Sequence, residues 1–418
     1  FKSAVLLFKH CFLAANGVEY ILKFFHREGR KVENAAKEMM RLITSEITGE
    51  KVSSHYDEKE LSELYVLSKS HDMAHLVGSA LKKNGLLEDG ENKKAFEKAI
   101  FTAVYRNGKM VYELENIKKC LSEKNIPFIL LKGAVLMDYY PESWMRTSSD
   151  IDVLVHYDDL LPAADALAAL FGCSYKPKGS HDIQFVSNNG VHVELHYRLV
   201  EENRAADAEK PLAKVWEHAV KKGGTSECAL TEEMFYYYHI AHMAKHIMSG
   251  GCGIRPLFDL YILNGRKAYN EKKEEKLLSE GGLLTFNETA KSLTLMWFGE
   301  GEETYMAKKL GEYLVLGGIY GNMDNKVLFG QTKRGGGKLK YALTRIWLPY
   351  EIMCFLYPTL DGKKALLPVY EVIRWFRLIF LGGFKRSINE LKINSEIDKE
   401  SAGNAKELLE GLGLVKKK

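Results

Sequence analysis

The chain has 418 residues, of which 46% are hydrophobic and 27% charged, and it carries a formal net charge of +4 at pH 7. This length allows two or three packing units, each with a core of its own, and excludes a single small module. The composition is typical of a soluble globular protein, and so weak a positive charge does not by itself indicate nucleic-acid binding.

The cysteines and the first residues bear on where the protein acts. Six cysteines are scattered along the chain without a CxxC pair, which favours reduced thiols in a cytoplasmic protein. The stretch Phe1 to Gly17 is typical of an amphipathic helix rather than a signal peptide, because Lys9 and His10 interrupt its apolar positions. No apolar run approaches the roughly 18 residues that a membrane-spanning helix needs.

Residues 1–123 are predicted to be helical. Apolar side chains recur there at spacings of three and four, as at Leu64, Leu67, Met73 and Leu76. Proline is absent from this region, so nothing in it breaks a helix. We therefore expect an N-terminal helical region.

Residues 124–200 carry the strand signals. Short strands are predicted in the apolar runs IPFILL and DIDVLV, and a pair of strands joined near Gly190 is predicted in DIQFVSNNGVHVELHYRL. Between the second and third strands, a helix that ends at Gly172 is predicted in DDLLPAADALAALFG. The expected fold class is α+β, mostly α, with a small mixed-sheet core embedded between helical regions.

Helices are predicted to resume in residues 201–330 and to continue through an aromatic and basic region, 331–418. A flexible connection is predicted in the glycine-rich stretch TKRGGGKLK, and a frayed polar tail from Asn394. Aromatic and basic residues alternate in this last region: Trp347, Tyr350, Phe355, Tyr357, Trp375, Phe376 and Phe380 with Arg345, Arg374 and Arg377, followed by Lys385 and Arg386. Such mixing suits a membrane interface or an extended acceptor, but core packing with the arginines in solvent is the simpler interpretation.

Two aspartates, Asp150 and Asp152, stand one residue apart in the apolar run DIDVLV. Residues i and i+2 of a strand share a face, so the two carboxylates should point the same way and repel unless a cation compensates. Glu194 lies on the polar face of the last predicted strand, and if the two strands are neighbours it joins the pair. Three carboxylates are the ligand type that Mg²⁺ prefers, although a sheet with one solvated face would also carry acids.

Lys132 and Gly133 follow the first predicted strand and precede a helix start. Free backbone N–H groups there could bind a phosphate, and Gly133 would allow close approach. Lys132 or Arg146 could neutralise phosphate oxygens. The alternatives are a plain turn glycine and a surface salt bridge for Arg146.

At these residues the sequence resembles the DNA polymerase β-like nucleotidyltransferases, and in particular a bacterial family of uncharacterised nucleotidyltransferases. The superfamily pattern is a strand, a Gly-Ser or Gly-Gly turn, a helix, Asp-x-Asp on the next strand and a later acid. The residues that carry the resemblance are Leu131, Lys132, Gly133, Ala134, Tyr140, Pro141, Arg146, Asp150, Asp152, Glu194, His196, His242, His246, Arg255 and Asp259. Two departures are Ala134, where Ser or Gly is usual, and a longer gap between Gly133 and Asp150.

The resemblance implies transfer of a nucleoside monophosphate from an NTP to an acceptor. Asp150 and Asp152 would hold Mg²⁺ or Mn²⁺ on the triphosphate, and Glu194 would complete the metal site or take the acceptor's proton. The implied nucleotide-binding residues are Lys132, Gly133, Ala134, Arg146, His196, His242 and His246. The acceptor, whether small molecule, protein or RNA, stays open.

Other interpretations stay open as well. His239, His242 and His246 share one helical stripe with Cys252 close behind, but we expect no zinc, because the stripe could face the sheet or pack as hydrogen-bonded histidines. Arg255 and Asp259 have the spacing of an intrahelical ion pair. Rival functions are a catalytically idle nucleotide-binding module and a peripheral membrane or cell-envelope assembly factor that works through the C-terminal helices.

Overall fold

The computed structural model describes residues 29–175, 182–199, 207–266, 269–317, 323–333, 337–380 and 384–415. Within these ranges the chain is mostly helical and holds one six-stranded mixed sheet, which confirms the α+β, mostly α, fold class. The helix expected at the N-terminus lies outside the described residues, as do residues 334–336 of the glycine-rich stretch.

Helices precede the sheet, as predicted. They are α1 (Gly29–Thr48), α2 (Glu58–Ser70), α3 (Ala74–Lys83) and α4 (Glu91–Glu123). Asp57 starts α2 with a capping box, since its side chain accepts from the Glu60 backbone while Glu60 reaches back to the Asp57 backbone. The predicted apolar positions Leu64, Leu67 and Leu76 are buried between these helices.

The sheet combines predicted and unpredicted strands. In chain order these are β1 (Phe128–Leu130), β2 (Asp150–Val155), β3 (Asp182–Val186), β4 (His192–His196), β5 (Ala219–Lys221) and β6 (Glu227–Leu230), and their spatial order is β3-β4-β2-β1-β6-β5. The β2–β4 and β1–β6 pairs are parallel and the other neighbours antiparallel. Sequence analysis missed β5 and β6, which are too short to show an alternating pattern.

One face of the sheet is largely apolar. Ile151, Val153 and Val193 point from it into a core closed by α4 and by α6 (Leu160–Phe171). Helix α6 ends, as predicted, at Gly172, whose φ of 60° is left-handed. The other face carries Leu154, which belongs to the larger helical core.

Helices follow the sheet. They are α7 (Glu209–Leu212), α8 (Glu232–Ile247), α9 (Arg255–Arg266), α10 (Glu271–Glu280), α11 (Leu284–Phe298), α12 (Tyr305–Gly317) and α13 (Met323–Lys333). The one-turn helix α5 (Gly133–Leu136), which we call the Gly133 turn helix, connects β1 to the segment before β2.

The C-terminal region is helical and ordered against the rest. Its helices are α14 (Lys338–Ile346), α15 (Tyr350–Leu356), α16 (Leu367–Phe380), α17 (Phe384–Glu396) and α18 (Lys399–Gly411). The predicted frayed tail is wrong for α18, because Ala405, Leu408, Leu409 and Leu412 form a stripe that is buried in the main core. None of the helices that the structure describes has the length and apolar character needed to cross a membrane.

The simpler interpretation of the aromatic and basic region is also wrong for α16. Phe376 and Phe380 are 59% and 75% exposed, whereas Arg374 is buried. The side chains of Phe355, Lys385 and Arg386 lie outside the described part of this region.

Candidate active site

Acidic side chains meet on the second face of the sheet. Asp152 and Glu194 are register partners on the parallel strands β2 and β4, so their side chains point the same way. Ligand atoms of Asp152, Glu194 and His196 all lie within 4.8 Å of one another. The expected neighbouring strands are therefore present, but His196 takes the place predicted for Asp150 in this cluster.

Asp152 is the buried centre of the cluster. Its carboxylate is 1% exposed, and Oδ1 accepts from Lys132 Nζ at 2.7 Å and lies 2.9 Å from His196 Nε2. Burial alone would raise the pKa of Asp152, but Lys132 and His196 outweigh it and lower the pKa to about 2. Side chains of the protein, Lys132 and His196, thus supply part of the positive charge that we had expected a metal to supply.

Asp150 lies at the start of β2, beside the cluster. Its Oδ1 accepts from the Ser148 hydroxyl at 3.3 Å and from the Ser149 hydroxyl at 3.5 Å. Burial, and next the negative charge of Asp152, raise the pKa of Asp150. The two aspartates therefore have opposite electrostatic environments.

Glu194 and His196 complete the cluster. His196 Nε2 lies 3.4 Å from Glu194 Oε2, and the Glu194 side chain is 28% exposed. The hydrogen bond from His196 lowers the pKa of Glu194 despite burial. Burial lowers the pKa of His196, but the two carboxylates outweigh it and the net shift is upward.

Lys132 occupies an unusual backbone conformation at the predicted phosphate turn. Its φ of 47° and ψ of −122° are typical of glycine, and its ammonium group is directed to Asp152. The following Gly133 is closely approached by the chain itself, since a Cβ there would lie 2.6 Å from Ser148 Oγ. The Ala134 side chain packs in the apolar core below the sheet.

Helix α8 covers the acidic face. Tyr238 is buried, and after burial the charges of Lys132 and Asp152 have the largest effects on the pKa of its hydroxyl, which is raised. Sequence analysis missed this tyrosine. The only signal in the sequence was that Tyr238, which belongs to the run YYYH, precedes His242 by about one helical turn.

The histidine stripe of α8 divides into two parts. His239 donates from Nε2 to the Pro256 carbonyl at 2.8 Å and is a packed histidine. His242 and His246 form a pair with their Nε2 atoms 3.0 Å apart. Burial, and next the charge of Lys132, lower the pKa of His242 well below its usual value.

Arg146 has a protein partner. Its Nε and Nη2 donate to the two oxygens of Asp259 at 2.7 and 2.9 Å, and the Tyr140 hydroxyl donates to Asp259 Oδ1 at 2.8 Å. The bidentate charge of Arg146 is thereby used inside the protein. These contacts anchor the segment before β2 to α9, and the expected phosphate contact of Arg146 stays a prediction.

Arg255 does not make the predicted pair with Asp259. It donates from Nη2 to Asp72 Oδ2 at 2.6 Å and from Nη1 to the Thr147 carbonyl at 3.0 Å. His75 holds the same segment, since its Nε2 donates to the Met145 carbonyl at 2.9 Å. Residues shared with the resembling family therefore position the connection between the Gly133 turn helix and β2.

This arrangement identifies a class of protein. Acids on adjacent parallel strands, with a Lys-Gly turn beside them, are the features of a nucleotidyltransferase. Residues 57–299 match the family described as uncharacterised nucleotidyltransferase, and since this is more than half of the chain, the protein belongs to that family. No curated protein and no solved structure matches the chain significantly.

Proposed function

We propose that this protein is a metal-dependent nucleotidyltransferase that transfers a nucleoside monophosphate from an NTP to an acceptor. The observation that carries the proposal is the convergence of Asp152, Glu194 and His196 beside Lys132. Family membership supports a nucleotide substrate. The scattered cysteines of the sequence support a cytoplasmic site of action.

The donor set fits a divalent cation. The pKa values of Asp152 and Glu194 are both lowered, so each offers an ionised carboxylate at neutral pH. Carboxylates suit Mg²⁺ and Mn²⁺, and we assign the metal to these two residues with Asp150 as a further carboxylate on the same strand. When bound, the metal would neutralise phosphate charge and polarise the reacting phosphoryl group.

The chain's own residues have separate roles in this proposal. Lys132 orients Asp152 and offers remaining N–H donors to phosphate oxygens, since its side chain is 27% exposed. Glu194, the more exposed carboxylate, accepts the proton of the acceptor hydroxyl or holds the metal on that side. The acceptor oxygen then bonds to the α-phosphorus as the bond to the leaving pyrophosphate breaks.

Residues around the cluster are proposed to shape the nucleotide site. Gly133 keeps the backbone of the turn close to Ser148, while His242 and His246 approach from α8. His196 supports Asp152 through its 2.9 Å contact. The acceptor can be a small molecule, a protein or an RNA under this proposal.

Labelled nucleotides test the reaction. The protein is incubated with a lysate, Mg²⁺ or Mn²⁺, and each NTP labelled at either the α- or the γ-phosphate. We expect incorporation of α-label only, and a loss of roughly 100-fold or more in Asp152→Asn and Glu194→Gln. Asp158→Asn, which changes an exposed acid just after β2, is the matched control and should retain activity.

Other outcomes contradict the proposal. Incorporation of γ-label would show phosphoryl rather than nucleotidyl transfer. Binding of NTP without any labelled product across the acceptor screen would favour the idle nucleotide-binding module. Equal α-label incorporation by wild type and Asp152→Asn would remove the cluster from catalysis.

A further inference from the structure

Helix α16 exposes apolar side chains and buries an ion pair, the reverse of an ordinary surface helix. Its apolar side chains are 41% to 75% exposed: Val369, Val372, Ile373, Phe376, Ile379 and Phe380. Their spacing places them on one stripe that faces away from the protein. An exposed stripe of this kind indicates a contact surface.

The buried side of α16 is ionic. Arg374 Nε donates to Glu371 Oε2 at 2.7 Å, and Glu371 Oε1 accepts from the Leu348 backbone N–H at 2.6 Å. Arg374 Nη2 also donates to the Ile346 carbonyl at 2.7 Å. These contacts fix the rotation of α16, so its apolar stripe is held outward rather than left there by weak packing.

The end of helix α14 contacts α16. The Ile346 carbonyl at its end accepts from Trp375 Nε1 at 3.0 Å, which brings α14 against α16. On α14 and just after it, the exposed apolar side chains are Leu339, Leu343, Ile346 and Trp347. We call these residues and the stripe of α16 together the α14–α16 face.

Positive charge is concentrated around this face. Residues 337–380 contain seven Lys and Arg against three Asp and Glu, a net charge of +4 that equals the formal net charge of the whole chain. Five of the basic residues are exposed: Lys338, Lys340, Lys363, Lys364 and Arg377. Glu371 and Arg374 are buried against each other, so the exposed acidic residues of this segment are Glu351 and Asp361.

We propose that the α14–α16 face binds an anionic membrane surface. An apolar and aromatic stripe flanked by Lys and Arg is what an interfacial helix presents to acyl chains and to negative headgroups. Helix α16 has 14 residues, about 21 Å, and therefore fits in the plane of the interface. Lysine is depleted in protein–protein interfaces, so the basic border favours lipid over a protein partner.

Vesicle binding of the full chain tests the proposal. Co-sedimentation is compared on phosphatidylcholine vesicles and on vesicles with one quarter phosphatidylserine, at low and high salt. We expect binding to the anionic vesicles that weakens with salt. Phe376→Ser with Ile379→Ser should reduce this binding about tenfold or more, because both side chains leave the acyl region.

Matched variants separate the two contributions. Lys363→Glu with Lys364→Glu should weaken binding to anionic vesicles only. Phe101→Ser with Tyr105→Ser removes a stacked aromatic pair that is equally exposed on α4, and it should leave vesicle binding unchanged. Nucleotidyl transfer to a soluble acceptor should be the same in all of these variants, so the outcome is independent of the proposed function.

Several results would overturn the proposal. One is equal binding to neutral and anionic vesicles, and another is equal loss in the α4 and α16 variants. Light scattering that shows a dimer which the Phe376 and Ile379 substitutions dissociate, without vesicle binding, would assign the face to a second copy of the chain. A salt-insensitive protein complex recovered in place of vesicle binding would assign it to a protein partner.

Discussion

Lys132 holds its ammonium group 2.7 Å from Asp152 Oδ1 while its own backbone has a φ of 47°. Such a conformation costs a lysine about 1–2 kcal/mol and persists only where surrounding contacts determine it. Here the contact is a nearly fully buried carboxylate. Strain of this kind is concentrated at functional sites, which agrees with the role proposed for the turn.

Two substitutions of Lys132 should separate the ion pair from the backbone strain. Lys132→Ala and Lys132→Gly both remove the ammonium group, but only glycine adopts the observed conformation without strain. We expect the glycine variant to be more stable than the alanine variant by about 1–2 kcal/mol in urea unfolding. Equal stability would show that the turn relaxes once the lysine is gone.

Asp150 and Asp152 should respond oppositely to substitution by asparagine. Asp152→Asn leaves the Lys132 ammonium group without its main partner, so we expect a loss of about 3 kcal/mol in the free energy of unfolding. Asp150 has a raised pKa in the folded state, so its ionised form destabilises the fold above the unfolded pKa, and Asp150→Asn should be as stable as wild type or more so. Urea unfolding at pH 7 without metal compares the two, and a loss in both would contradict this distinction.

Strand alternation alone was sufficient to place part of the site. It indicated that Asp152 and Glu194 share a face if their strands are neighbours, and the β2–β4 register shows that the strands are neighbours. Alternation also places His196 on the face of Glu194, and the family resemblance names it. Neither shows that the His196 ring contacts Asp152 or that Lys132 supplies positive charge there, because these contacts depend on side-chain directions and, for Lys132, on a backbone conformation that lysine rarely adopts.

The ion pairs were less predictable for a related reason. Arg255 and Asp259 have helical spacing, yet each pairs with a residue distant in sequence. Local spacing shows which residues can meet on one helix, whereas burial decides which partners they take, since a bidentate buried partner is stronger than an exposed i, i+4 pair.

A double-mutant cycle should separate the observed pair from the predicted one. We expect a coupling energy of about 2–3 kcal/mol between Arg146 and Asp259, because both oxygens of Asp259 accept from Arg146. The coupling between Arg255 and Asp259 should be much smaller. Unfolding of the Arg146→Leu, Arg255→Leu and Asp259→Leu single and double variants gives both values, and equal couplings would contradict the crossed pairing.

The last prediction concerns acid stability and His75. Burial lowers the pKa of His75 to about 4, although its Nε2 donates to the Met145 carbonyl. A depressed folded pKa means that the unfolded chain takes up the proton first, so the stability contributed by neutral His75 is complete above about pH 6.5 and is lost as the pH falls towards 4. Between pH 7.5 and 5 this amounts to about 2 kcal/mol.

His75→Gln keeps an N–H donor but does not titrate, so it should reduce the pH dependence of the unfolding free energy by about that amount. His55→Gln, the same substitution at an exposed position, is the matched control. If the unfolding free energies of wild type and His75→Gln fell equally as the pH was lowered, this would show that His75 already takes up its proton in the folded protein.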